Sequence, residues 1–179
     1  MKHRIYGLLA LTGLALLGGC VQLPDGIEPV TPFQADRYLG QWYEIARLDH
    51  RFERGLSQVS AEYSRADSNE IKVINRGCDA QSGSWNQAEG RARFVDDPNT
   101  GFLKVSFFGP FYGTYAIFEL DPEYQYAFVS GPNRDYLWFL SRDPEPDAAL
   151  RQQFVKRAGE LGFAVDELIW VKQGDSRCS

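Results

Sequence analysis

Histidine is almost missing from this chain: of 179 residues only His3 and His50 carry an imidazole. A histidine-based metal centre or catalytic dyad therefore has little to draw on. Positive charge is also short, with Lys+Arg 19 against Asp+Glu 24 and a formal net charge of −5. Without a basic stripe to neutralise phosphates, nucleic acid is excluded as a partner. The leading apolar run, residues 5–17, is too short to span a bilayer core of about 30 Å. There is no Gly-x-Ser-x-Gly elbow, no His-Glu-x-x-His and no Gly-x-x-x-x-Gly-Lys loop, so the common hydrolase, zinc-protease and nucleotide-binding signatures are lacking. What remains is 44% hydrophobic and 24% charged, the composition of one globular domain, with aromatics raised to 14%.

The N-terminus reads as an address. Lys2, His3 and Arg4 precede the apolar run, which ends in Leu17-Gly18-Gly19-Cys20. Small residues before a cysteine resemble the lipobox of bacterial lipoproteins, which implies a signal peptide at residues 1–19 and lipidation of Cys20. Val21 in place of aspartate implies the outer membrane, with the body lipid-anchored and facing the periplasm. Acyl chains on Cys20, at about 0.8 kcal/mol per buried CH₂, would hold the protein at a membrane. Loss of Lys2 and Arg4 leaves 17 Lys+Arg against 24 Asp+Glu, a charge of −7 that argues against a polybasic surface binder. Residues 20–32, with Pro24, Pro29 and Pro32, read as a lipidated N-terminus and linker before a domain at 33–179. In an exported chain, Cys78 and Cys178 are expected to pair, which staples the C-terminal tail to the middle of the sequence.

From Gly40 to Arg142 apolar-rich runs of about eight residues alternate with turn formers such as Asp96-Asp97-Pro98-Asn99, Asp121-Pro122 and Gly131-Pro132-Asn133. Eight strands are predicted: 41–48, 58–65, 70–77, 84–95, 102–108, 114–120, 125–130 and 136–142. Helical spacing appears once, from Asp147 to Leu161, with Leu150, Phe154, Ala158 and Leu161 on one face, and a last strand is expected at 167–172. The fold class is therefore all-β: an eight-stranded antiparallel up-and-down barrel, one C-terminal α-helix packed outside, and a ninth strand.

The motif Gly40-Gln41-Trp42, after Arg37-Tyr38-Leu39, resembles the Gly-x-Trp of the lipocalins, and Leu140-Ser141-Arg142-Asp143-Pro144 resembles their last-strand arginine. The runs 48–55, 104–113 and 135–138 bring the chain nearer to the bacterial outer-membrane lipoprotein lipocalins, over residues 33–173. The family's Thr-Asp-Tyr motif survives only as Leu120-Asp121-Pro122. The resemblance implies that Trp42 and Arg142 stack to close the barrel base. It further implies a hydrophobic ligand, a fatty acid or lysophospholipid, bound for storage or transport without a cofactor, a metal or a catalytic residue. A sixteen-carbon chain has a transfer ceiling of about 12 kcal/mol, reduced by ordering costs. Cys78 with Cys178 also looks like the disulfide of many animal lipocalins.

Strand alternation, anchored on an inward Trp42, places Glu44, Ala46, Val59, Ala61, Tyr63, Val73, Asn75, Val105, Phe107, Trp138 and Leu140 on the barrel interior as candidate ligand contacts. Glu44 and Asn75 either fix a head group or water, or pair with each other or with Tyr63. Trp138, early on its strand, is read as a ligand contact at the mouth. His50, Arg51 and Arg54 form either a solvated loop face or a cationic rim for a head group. Phe108, Phe111 and Tyr112 are read as covering the barrel end, with an exposed rim for a membrane or partner as the alternative. Two rival functions stand beside lipid binding: a structural lipoprotein whose barrel is filled by its own side chains, and a lipid esterase. A homodimer is left open.

Overall fold

The computed structural model describes residues 21–67, 69–174 and 178; the expected signal peptide at residues 1–19 and Cys20 lie outside the described residues. Eight strands are joined in sequence order: β1 (Gly40–Arg47), β2 (Leu56–Arg65), β3 (Glu70–Asp79), β4 (Ser84–Phe94), β5 (Phe102–Phe108), β6 (Phe111–Leu120), β7 (Tyr126–Ser130) and β8 (Leu137–Ser141). Each pairs antiparallel with the next, and β1 bonds to both β8 and β2, so the sheet closes into a barrel. Helix α1 (Ala35–Tyr38) precedes β1, helix α2 (Ala148–Glu160) follows β8, and β9 (Ile169–Trp170) bonds to the outside of β1. The expected fold class is thus the one observed. Strand β6 starts three residues before its predicted Thr114, because Phe111 pairs with Phe108 across a tight turn. The ninth strand keeps only two residues, since a 3-10 turn at Val165–Glu167 takes up its start.

One end of the barrel is shut. Trp42 is fully buried, its indole Nε1 donates to the Tyr38 carbonyl at 2.8 Å, and the Arg142 guanidinium lies 4.0 Å above its ring centroid. Arg142 also donates to the carbonyls of Gln41 (2.6 Å) and Leu39 (2.8 Å), which ties the entry of β1 to the exit of β8. Gly40 has φ +95, a backbone region closed to most side chains, and the guanidinium passes beside it. The Gly-x-Trp spacing therefore has a local cause: the glycine makes the turn and leaves room for the arginine.

Two apolar clusters divide the molecule. The inner one fills the lower barrel, with Phe33, Tyr38, Trp42, Tyr63, Phe94, Ile117 and Tyr124 among its members. The outer one lies between the wall of β6–β8 and α2, where Phe154 packs edge-on to Phe128 (4.9 Å) and stacks with Phe139 (5.0 Å). Helix α2 begins where Asp147 accepts the Leu150 amide at 2.8 Å, as an N-cap does.

The stretch read as a linker is no free spacer, because it runs down the outer wall. Thr114 Oγ1 donates to the Gln22 carbonyl (2.8 Å), Val30 N to Ile117 O (2.8 Å) and Phe33 N to Asn99 O (2.6 Å). The opposite terminus seals a seam. Strands β1 and β2 pair only from Gly40↔Tyr63 to Tyr43↔Ser60 and then part. Gln173 Nε2 spans the gap, donating to Glu44 O (2.8 Å) and Val59 O (3.0 Å), while Val171 N donates to Ile45 O and Gln58 N to Lys172 O. The tail then reaches β3 through the Cys78–Cys178 disulfide, whose Cα atoms are 5.8 Å apart.

Candidate functional site

Alternation along the strands sends small side chains inward above a packed floor. The floor holds three phenols in a chain, with Tyr115 Oη 2.7 Å from Tyr38 Oη and 2.8 Å from Tyr63 Oη. Burial pushes all three hydroxyls well above their usual range, so they stay neutral and hydrogen-bonded to one another. Val73 and Leu140 pack into this floor as well. Ala61 belongs to it too, and is followed across the next two strands by its register neighbours Asn75 and Ala88. Gly90 lies under the Phe107 ring, where an added Cβ would meet the ring carbons at 2.8 Å. Asn75, Ala88, Val105, Phe107 and Trp138 point inward yet remain only half-buried. Inward side chains keep solvent contact only where the space between them is open, so solvent reaches the barrel interior at this end, the cup.

Apart from Asn75 on β3, the polar groups at this end lie on β1 and the loop after it. A bulge between Glu44 and Ala46 breaks the alternation. Ala46 is thereby moved to the outer wall beneath α2, which corrects its expected place in the barrel interior. Arg47 takes the inward position and is buried, with Nη1 2.6 Å from Glu44 Oε1 and Nη2 donating to the carbonyls of Glu53 (2.7 Å) and Leu56 (3.3 Å). Glu44 therefore pairs with Arg47, and neither with Asn75 nor with Tyr63. Arg47 Nε and Asn75 Oδ1 are among the buried polar atoms left without a hydrogen-bond partner.

Loop 48–55 folds against this end. His50 is buried, its ring 5.2 Å from that of Trp138, and its Nε2 lies 2.9 Å from Glu53 Oε2. Trp138 Nε1 donates to the same carboxylate at 3.1 Å. Burial raises the Glu44 carboxyl well above the usual carboxylate range, helped by Glu53 and opposed by Arg47. Burial pulls Glu53 the same way, but His50, Trp138 and Arg47 together outweigh it and hold this carboxyl below the usual range. His50 is thus packed inside the loop against Trp138 and Glu53, away from the exposed rim. Arg54 is held by Asp49 at 2.7 Å, and Arg51 lies over the ring of Phe52 at 5.3 Å. The rim itself is aromatic: Phe52 is 59% exposed, Phe108 72% and Phe111 79%, so the β5–β6 turn leaves its rings in solvent instead of covering the barrel end.

Of the expected interior residues, Glu44, Asn75, Val59, Val105, Phe107 and Trp138 thus belong to the cup or its wall, and Ala61, Tyr63, Val73 and Leu140 to the floor. Trp42 and Arg142 close the base, and Cys78 and Cys178 are bonded. The residues that strand alternation missed are Arg47 and Glu53. The i,i+3 spacing of Glu44 and Arg47 was the one available signal, and a single bulge reverses what alternation says about it. Among the described residues no cluster of His, Cys, Asp and Glu is arranged to hold a metal ion.

A family profile described as "Lipocalin-like domain" matches residues 33–173. Outer membrane lipoprotein Blc of Vibrio cholerae is 54% identical over 159 residues, covering 88% of this chain and 93% of the relative. Outer membrane lipoprotein Blc of Escherichia coli strain K12 is 52% identical over 153 residues, with 86% of each covered. Insecticyanin from the tobacco hornworm Manduca sexta superposes with a TM-score of 0.71 at 19% identity, covering 88% of this chain and 90% of that one, a likeness of fold.

Proposed function

Since the chain belongs to the family of lipocalin-like domains, and its relatives carry the name outer membrane lipoprotein Blc, we propose that it is an outer-membrane lipoprotein, acylated at Cys20, that holds a single-chain lipid in its cup. The observation that carries this reading is the set of inward yet half-buried side chains, Ala88, Val105, Phe107 and Trp138, around two unpartnered polar atoms. An apolar cup with a few converging polar groups is the ordinary build of a small-ligand site. The acyl chain would lie against Val105, Phe107 and Trp138. The head group would lie near Arg47 and Asn75, whose Nε and Oδ1 have no partner: the Nε–H can donate to an anionic oxygen, and the Oδ1 can accept from a hydroxyl or ammonium of the head. Fatty acids and lysophospholipids fit both demands, one tail and one anionic head. Storage and carriage of such lipids need no bond broken, so the proposal includes no catalytic residue.

The test is native mass spectrometry of residues 21–179, disulfide-bonded, titrated with palmitate and with palmitoyl lysophosphatidylethanolamine. Saturable 1:1 adducts, weakened about tenfold or more in Trp138→Ala as loss of a buried aromatic contact predicts, support the reading. A folded sample that takes up neither lipid would instead make the barrel self-filled and the protein a structural lipoprotein. Release of free fatty acid from the lysolipid would overturn simple binding in favour of an esterase.

A further inference from the structure

Three observations outside the cup meet at one place on the barrel. The first is the exposed aromatic rim. Phe108 and Phe111 flank the β5–β6 turn, and Phe52 stands on the loop after β1, across the mouth from it. The second is where the chain enters the described structure. Gln22 is tied to Thr114, three residues along β6 from Phe111, and the segment then runs away from the mouth to reach Asn99 at the closed base. The third is charge. Although the protein is acidic overall, cations accompany these rings: Arg51 over Phe52, and Lys104 5.5 Å from the centroid of Tyr112.

Chain length turns these facts into an orientation. Cys20 precedes Gln22 by two residues, a chain length of at most about 7 Å. Thr114 and Phe111 are about 10 Å apart along β6. The ten residues of β6, tilted as in a barrel of this size, put the closed base about 25 Å from the mouth. An anchor at Cys20 therefore emerges beside the open end, with no length of linker to carry the mouth away. Aromatic rings with neighbouring cations suit a bilayer interface, where the ring enters the acyl boundary and the cation meets phosphate. We propose that Phe52, Phe108, Phe111 and Tyr112 form a membrane-docking rim, so that the acylated protein holds its cup open toward the lipid surface. Lipid then passes between bilayer and cup without crossing water. The inference rests on acylation of Cys20, and the experiment separates the two.

The full-length protein is matured in cells, purified with its N-terminal modification, and reconstituted into vesicles of phosphatidylethanolamine and phosphatidylglycerol. A photoreactive p-benzoylphenylalanine replaces Phe111, Phe52 or, as a control at the closed base, the exposed Glu123. Illumination is expected to give phospholipid adducts, identified by mass, at 111 and 52 and essentially none at 123, given an interfacial insertion depth of about 5–10 Å. Equal yields at all three positions, or adducts at 123 alone, would overturn the orientation. Crosslinks from 111 to a second copy of the chain would overturn it in favour of a dimer face. The mass of the N-terminal peptide from the same sample reports on Cys20 separately, and an unmodified cysteine would remove the premise itself.

Discussion

Arg47 brings a positive charge to a position that simple alternation assigns to the outside. A bulge has no residue signature of its own, so sequence periodicity placed Glu44 correctly and failed two residues later at Ala46. Side-chain alternation survived in β2 to β5 despite irregular pairing at Ser57–Ser60 and Val105–Phe108, which is why Ala61, Asn75, Val105 and Phe107 were legible from spacing alone. The buried Glu44–Arg47 pair should be expensive to break from one side. Arg47→Met leaves an ionised or forcibly protonated Glu44 in the cup and is expected to cost about 3–5 kcal/mol in urea unfolding. The double variant Glu44→Gln/Arg47→Met should recover most of that loss, and a double variant no more stable than Arg47→Met would contradict it. Glu53 gives a pH dependence with a definite sign. Its folded carboxyl titrates below the usual range, so its stabilisation is present above the ordinary value of about 4.3 and lost as pH falls through the lower folded value. Acidification below about pH 4 should therefore free loop 48–55 from Trp138. The readout is a tryptophan fluorescence transition on the acid side that Glu53→Gln removes.

At the scale of elements, the path of the C-terminal tail was the part least visible in advance. Cys78 and Cys178 announced a staple, and the expected ninth strand announced a return to the sheet. Neither said that the tail would cross a seam. That seam exists because β1 pairs with β2 over four residues and then leaves it, which is a property of the closed barrel and of no single segment. Helix α2, by contrast, was legible to within a residue at each end, because its apolar face, its capping Asp147 and the following Gly162 are all local signals. Removing the bridge with Cys78→Ala/Cys178→Ala opens a cross-link over a sequence separation of 100, and should cost up to about 4–5 kcal/mol in the loop-entropy account. Gln173→Ala removes two hydrogen bonds and should cost about 1–3 kcal/mol. Its more telling effect is local: amide exchange should rise at Ile45–Arg47 and Gln58–Val59 while the base strands keep their protection.

On the whole-molecule scale the barrel separates two tasks along its axis. The base is overdetermined, by Arg142 on Trp42, by the linked phenols of Tyr38, Tyr115 and Tyr63, and by the N-terminal segment reaching Asn99. The mouth end has the seam, the bulge, the buried pair and the exposed rings. Regions with fewer packed contacts open at lower free energy, so the mouth should be the softer end of the fold. A ligand that binds only the folded barrel raises its stability by mass action, about 2.7 kcal/mol at a hundredfold excess over Kd. For a chain of this length that corresponds to a Tm increase of about 5–10 °C. The stabilisation should not be evenly spread in hydrogen exchange at ligand saturation. Protection should rise at Asn75–Gly77, Ala88–Gly90, Val105–Phe107 and Leu137–Trp138, while Tyr38, Trp42 and Tyr63 change little because they are already closed off. Uniform protection, or protection strongest at the base, would mean that the lipid reaches past the phenols into the floor. The packed lower cluster would then have to open to admit it, and the division of the barrel into cup and floor would be wrong.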